Sequence, residues 1–467
     1  MNITLLVIVL VVYFAAMVGI GFMGRKHAES FDSFVSAGRS AGVLMIIGSA
    51  VGSQIGNGFV VGGAGSAASV GLSGAWYGIG CGLGYLAIAL VLNKHVYTKG
   101  YISLPEFLEE RYGDKLTSAV FSVATVLSYI GNIAAQIMAG SALFRSFGLN
   151  GTLGAVAITV VVLAYSSLSG LWGAYATSVV QVGVIAVAMI AAVIAIVSGG
   201  GITEINAAIT AGTVPSGFWR LDAIGLKAIL FMVLPVALAA LCDQQTVQRI
   251  NAAKSEKVSM TAHIISTLMC IGLALLPAII GMYGAAVYGV TDNTAFFQVV
   301  MHKLPPLVSA ITIAAVIAAI MSTIDGTVIA FSTVMLKNVY QGMINPKVDE
   351  KTLKKGDTIL SIVVLVFALV LSLQFDNIIN LLSSTYIFLT ACCLVPFVGG
   401  MYWKRGTAKG ATVSSIVGLI ISVLNMTKIY VLPMSDFSPI IIALGVYVIV
   451  SLCDKEGQKR NLECNVR

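Results

Sequence analysis

The chain has 467 residues, of which 58% are hydrophobic and only 10% charged, against roughly 25% charged in a soluble domain. This composition excludes a soluble enzyme or binding module and places the protein in a lipid bilayer. The net charge of +7 comes with no basic stripe interleaved with aromatic residues, so it reflects membrane topology and not nucleic-acid binding.

A helix of about 20 residues crosses a hydrocarbon core of about 30 Å. The first apolar stretch, Ile3 to Met23, has no basic residue ahead of it and is followed by Arg25 and Lys26. It is expected to be a retained span with its N-terminus outside, not a cleaved signal. Ala41 to Asn93 then runs 53 residues without a charge, and Ser146 to Thr203 runs 58. Each is long enough for two helices. In chain order the expected spans are 3–23, 43–69, 72–93, 116–144, 151–168, 172–199, 224–242, 260–288, 306–336, 358–375, 378–402, 410–427 and 437–453. With thirteen spans and this orientation, 22 of the 27 Lys and Arg residues fall on the inner side, the Arg249/Lys254/Lys257 group among them. Only Arg145, Arg220, Lys227, Lys303 and Lys428 fall outside. That bias is what cytoplasmic loops show, so the C-terminus is expected in the cytoplasm and the protein in a plasma or bacterial inner membrane. Lys347 to Lys355 reads as an inner-face loop with weak attraction to anionic lipid.

Glycine marks the second span. Ala41 to Asn93 holds 14 glycines, seven of them in "GSAVGSQIGNGFVVGGAG" (Gly48 to Gly65). Gly62 to Gly74 reads as close helix packing, since small residues let backbones approach. Ser53, Gln54 and Asn57 are polar residues clustered at mid-span, which packing does not explain. They point to a broken helix, because unwound backbone survives in a membrane only where protein or a water-filled cavity satisfies it. In span 224–242 a second interruption is expected at Pro235, which removes a helix hydrogen bond. Each interrupted span opens a block of five helices, and paired interruptions of this kind point to an inverted-repeat transporter.

Other chemistries lack their residues. The seven cysteines form no C-x-x-C, the four histidines have no metal-ligand spacing, and there is no H-E-x-x-H, G-x-S-x-G or phosphate-binding G-x-x-x-x-G-K-[ST]. No enzyme activity, covalent cofactor or ATP-driven pumping is expected. Between Lys303 and Lys337 the only charged residue is Asp325, preceded by Ser322 and Thr323. An ionisable group inside a membrane is a functional candidate by default.

Four stretches carry a family resemblance: "SLPEFLEERYG" (Ser103 to Gly113), "DQQTVQRINAAKSEK" (Asp243 to Lys257), "AAIMSTIDGTVIAFSTVMLKNVYQGMINP" (Ala318 to Pro346) and "GGMYWKRGTAKGA" (Gly399 to Ala411). They occur in the family's order, and the resemblance covers nearly all of the chain. The protein resembles the sodium:solute symporter family, sodium-coupled transporters of proline, pantothenate, sugars and monocarboxylates. The resemblance implies an all-α membrane protein of the LeuT type, with two inverted repeats of five helices and broken first and sixth core helices. The expected division is 1–40 (extra helix and inner loop), 41–203 and 204–409 (the two repeats) and 410–467 (two extra helices and tail).

The resemblance also implies a sodium site. Two carbonyls of the first core helix, three residues apart, meet a carbonyl and two hydroxyls on the eighth. Carried over, these fall on Val51, Gln54, Ala319, Ser322 and Thr323, and oxygen ligands suit a hard cation. Some relatives bind a second sodium through an aspartate on the fifth core helix. Ser178 stands at that position, so one sodium per cycle is expected. For Asp325 three roles stay open: cation-linked, proton-linked, or an acceptor bonded to its neighbours.

The substrate site implied is at the midplane, with candidates Ser53, Ile55, Asn57, Gly58, Tyr77, Ala239, Ser383, Ser384, Thr385 and Tyr386. Sugar-transporting relatives use a glutamate and an asparagine where Gly78 and Val236 stand, which disfavours a sugar. No Lys or Arg is expected deep in a span, so a carboxylate would rely on helix N-termini. The expected function is sodium-coupled uptake of a small carboxylate or zwitterion, working as a monomer with only sodium, solute and lipid as partners. A proton-coupled carrier is the alternative, with a passive channel third.

Overall fold

Every expected span falls on helix over its described residues, the second of them with an interruption. The computed structural model describes residues 3–24, 37–56, 58–101, 103–166, 170–375, 377–426, 429 and 437–464. Among them there is no strand, only one isolated bridge between Ala41 and Ala253. By length and composition, nine continuous helical stretches there are able to cross a membrane. Four shorter apolar helices accompany them: Thr4–Tyr13, Val43–Gln54, Gly151–Leu163 and Ser438–Cys453.

Helix α1 is Ile3–Gly24. The next span is interrupted, with α2 (Val43–Gln54) ending in a turn at Ile55 and Gly56 before a π-helical turn, Gly58–Gly62, leads into α3 (Gly63–Val70). α4 (Trp76–Ala87) and α5 (Asn93–Lys99) form one span, joined by a π-helical turn at Ile88–Leu92. The short α6 (Leu104–Tyr112) precedes α7 (Lys115–Ser146), α8 (Gly151–Ser166) and α9 (Gly170–Ser198). α10 (Gly201–Ala211) links to α11 (Gly225–Ala239), and α12 (Gln244–Ala252) follows. Then come α13 (Glu256–Tyr288), α14 (Ala295–Lys303) and the buried α15 (Pro306–Thr333). The chain closes with α16 (Glu350–Ser372), α17 (Ile378–Tyr402), α18 (Ala408–Met426), α19 (Ser438–Cys453) and α20 (Lys455–Cys464).

The second interruption is not at Pro235. α11 runs through that proline, and the helix breaks farther on, where Asp243 is extended (φ −85°, ψ 128°) and N-caps α12. A proline within a span deletes one N–H, and neighbouring groups in a membrane bundle readily compensate. Asp243 stops the helix more firmly, because its carboxylate accepts the backbone N–H of Gln245 at 3.2 Å and so replaces the helical continuation with a cap.

Glycine permits close helix approach beside the first break. At Gly48 on α2 an added Cβ would lie 2.8 Å from the backbone N and Cα of Val179 on α9. Only a residue without a side chain permits that contact.

The family-like stretches meet at one end of the molecule, around α6. Ser103 N-caps this helix and also accepts from Asn338 Nδ2 at 2.8 Å, while the Leu104 N–H donates to Gln244 Oε1 at 2.9 Å. Arg111 donates to the carbonyls of Gly400 (2.8 Å), Trp403, Lys404 and Gly406. Those include the last carbonyls of α17, where a cation also meets the negative end of the helix dipole. Next to it Asp114 caps α7. Burial would raise its carboxyl, but bonds from Leu116, Thr117 and Thr412 hold it below the usual carboxylate range. Hydrogen bonds to a charged group contribute about 1.5–3 kcal/mol. Arg111→Ala should therefore lower the melting temperature of purified protein by several degrees, and Arg111→Lys, which lacks the fork, should recover only part.

Candidate functional site

The break in α2 faces α15 across the centre of the bundle. Thr323 Oγ1 lies 3.2 Å from the Gly52 carbonyl, 3.3 Å from that of Ser53 and 2.9 Å from that of Ala319 on its own helix. One hydroxyl thus both back-bonds within α15 and reaches the backbone freed where α2 ends. The expected carbonyls, Val51 and Gln54, bracket this pair. The Val51 carbonyl accepts the Ile55 N–H at 2.8 Å, and Gln54 lines the central cavity. Ser322, one residue earlier, pairs with Ser178 of α9 at 2.6 Å between hydroxyls, and Ser178 also donates to the Ala174 carbonyl.

Asp325 follows one turn after Ser322. It is 2% exposed, and neither carboxylate oxygen accepts a hydrogen bond from any described residue. The structure therefore gives it none of the contacts that a purely structural acceptor would make. An unpaired buried carboxylate is costly.

Arg249 departs from expectation. Counted with the inner loops from sequence, it is only 2% exposed. Its Nε donates to Ser49 Oγ at 3.1 Å, and its Nη2 to Ser53 Oγ at 2.6 Å and Gln245 Oε1 at 2.7 Å. It ties α12 to α2 beside the break. Tyr85 of α4 joins the same cluster through Ser53 Oγ and the Ala50 carbonyl.

A cavity of about 20 Å³ lies between the two interruptions, room for about one water-sized group. Of the ten substrate candidates, Ser53, Ala239 and Tyr386 line it. Gly58 packs on Tyr77 and Leu382 beside it. Ile55 is fully buried, Thr385 bonds back to Leu381, and Ser383 and Ser384 are half-buried away from the lining. Asn57 lies outside the described residues. The lining also holds residues the sequence reading did not select: Ser128, Tyr129 and Asn132 of α7, together with Asp243 and Gln245. A signal was present, since Ser128, Asn132 and Gln136 recur every fourth residue and so share one face of α7.

Comparison with known proteins fits this geometry. The sodium:solute symporter family profile matches residues 34–418. The chain belongs to the sodium:solute symporter family. Among curated relatives, the high-affinity proline transporter PutP of Bacillus subtilis is 27% identical over 428 residues, covering 86% of this chain and 88% of its own. The sodium/proline symporter 2 of Staphylococcus saprophyticus is 26% identical, covering 95% and 89%. A sodium-coupled sialic acid symporter, solved in a substrate-bound outward-open state, superposes with a TM-score of 0.80 at 20% identity, covering 96% of this chain and 97% of that one. That likeness establishes the LeuT-type fold. Family membership carries sodium-coupled solute transport across a membrane.

In this symporter Gly56 sits in the turn of the break, packed directly against Thr323. A Cβ there would lie 2.6 Å from Thr323 Oγ1 and 2.7 Å from Gln136 Oε1. Gly56→Ala should displace Thr323 from the freed carbonyls, at a cost of roughly 1–3 kcal/mol for overpacking. Folded protein should still be recovered, but its thermal stabilisation by added NaCl over choline chloride should weaken by about tenfold in midpoint.

Proposed function

We propose that this symporter carries a small carboxylate or zwitterion inward with sodium by alternating access. In this reading Ala319, Ser322 and Thr323 on α15 hold the ion with carbonyls at the α2 break, at Val51 and Gln54 or their neighbours Gly52 and Ser53. The observation that carries it is the reach of Thr323 Oγ1 across to the Gly52 and Ser53 carbonyls. A hydroxyl, three carbonyls and an adjacent second hydroxyl supply neutral oxygens to a monovalent hard cation. Rotating the two hydroxyls turns their donor hydrogens away and their lone pairs inward.

The solute occupies the region between the two breaks, bordered by Ser53, Ala239 and Tyr386. A proline-like zwitterion, as named for the curated relatives, falls in the favoured class. One sodium moves per cycle, since Ser178 brings a hydroxyl and not a charge to the fifth core helix. Asp325 is cation-linked through the shared helix and lies outside the ion's first shell. The two five-helix repeats, 41–203 and 204–409, move against each other in a monomer whose N-terminus is outside.

Replacing both hydroxyls, Ser322→Ala with Thr323→Ala, removes two of about five oxygens. The sodium concentration for half-maximal transport in proteoliposomes should rise at least about tenfold. A wild-type curve in that variant overturns the assignment. Asp325→Asn keeps shape and removes charge, so attraction to a nearby cation weakens. Sodium affinity should fall about threefold to tenfold, with maximal rate largely restored at saturating sodium; an unchanged sodium curve would refute the cation link.

A further inference from the structure

Among the described residues, Asp243 is the one charged side chain lining the central cavity. Its Oδ1 is fully used: it accepts from Tyr129 OH at 2.5 Å and from the Gln245 N–H at 3.2 Å, the bond that caps α12. Its Oδ2 accepts from no described residue. The buried cation on the same helix, Arg249, spends its N–H groups on Ser49, Ser53 and Gln245 instead. A second acceptor lines the same cavity. Asn132 of α7 gives its Nδ2 to Tyr386 OH at 3.3 Å, while its Oδ1 is buried and accepts nothing. Each of these two side chains is thus oriented by a tyrosine and leaves one oxygen free.

A carboxylate oxygen and an amide oxygen without donors, on two residues that line one cavity, call for a partner that brings N–H groups and positive charge. We infer that the transported solute carries a protonated nitrogen with at least one N–H, received by Asp243 Oδ2 and Asn132 Oδ1. Charge-assisted bonds of this kind are shorter and stronger than neutral ones. A plain carboxylate would instead set its negative charge against Asp243 in a poorly screened site. Val236, Ala239, Ala240 and Leu389 form the apolar part of the lining and suit the carbon skeleton. The cavity of about 20 Å³ accommodates the nitrogen head alone, so the rest of the solute enters as these neighbours part. The inference rests on the sodium-symport reading and narrows its solute class from carboxylate or zwitterion to zwitterion.

The test uses purified full-length protein and thermal shift in sodium and in choline chloride. Three probe pairs differ only in the nitrogen: L-proline and cyclopentanecarboxylate, L-alanine and 2-methylpropanoate, 4-aminobutyrate and pentanoate. Ligands that bind only the native state raise its stability by mass action. In sodium, at least one nitrogen-bearing probe should raise the melting temperature while its carbon counterpart does not. Asp243→Asn preserves shape and cap, and should weaken the midpoint concentration by about tenfold or more. Where that variant yields no folded protein, Asn132→Leu is read by the same criterion, with a smaller loss. Equal shifts from a carbon counterpart, no shift from any nitrogen-bearing probe, or an unchanged midpoint in the variant overturns the inference. A nitrogen-dependent shift that is the same in choline as in sodium would instead sink the symport reading and leave this one standing.

Discussion

A helix broken inside a bilayer leaves carbonyls that water cannot reach, and the protein must answer each of them. Here the answer to the α2 break comes from a helix about 270 residues away in sequence, since Thr323 meets the carbonyls of Gly52 and Ser53. The same contact that makes the break tolerable gathers oxygens at one point. Structural need and ion binding therefore draw on one set of atoms, and a change at either helix is felt at the other. Gly48 and Gly56 serve this arrangement by letting backbone and side chain approach where any Cβ would intervene.

The second break is built differently. Asp243 ends the run of α11 and starts α12, and its cap is completed by Tyr129 from α7. α12 then carries Arg249 back to Ser49 and Ser53 on α2. The two interruptions are thus joined by side chains, with the cavity between them. A displacement of α12 alone would strip a buried guanidinium of its two hydroxyl acceptors on α2, so α2 and α12 are expected to move together until those bonds are exchanged.

Much of this was legible in the sequence. Uncharged runs and the bias of Lys and Arg gave thirteen spans, each of which falls on helix over its described residues, and the cluster of Ser53, Gln54 and Asn57 marked the first break. What failed was the reading of polar sequence as loop. "QQTVQRINA" looks like a solvated connection, yet it is a buried helix, and Gln245, Thr246, Gln248, Arg249 and Asn251 each place at least one polar bond inside the bundle. Composition reports how polar a segment is, not whether partners await it. Pro235 misled for a related reason, since a missing N–H weakens a helix but does not decide where it ends. The face of α7 bearing Ser128 and Asn132 was visible as periodicity, but only tertiary structure shows that it turns toward the cavity.

The partners of Arg249 are two hydroxyls and an amide. Exposed ion pairs weaken as mobile ions screen them, whereas a buried guanidinium bonded to neutral oxygens offers salt little to compete with. A protein that works by sensing sodium meets changing ionic strength as part of its task. Joining α2 to α12 through neutral acceptors separates the mechanical tie from the signal, so the concentration of the driving ion is read at its site and not through the loosening of the scaffold.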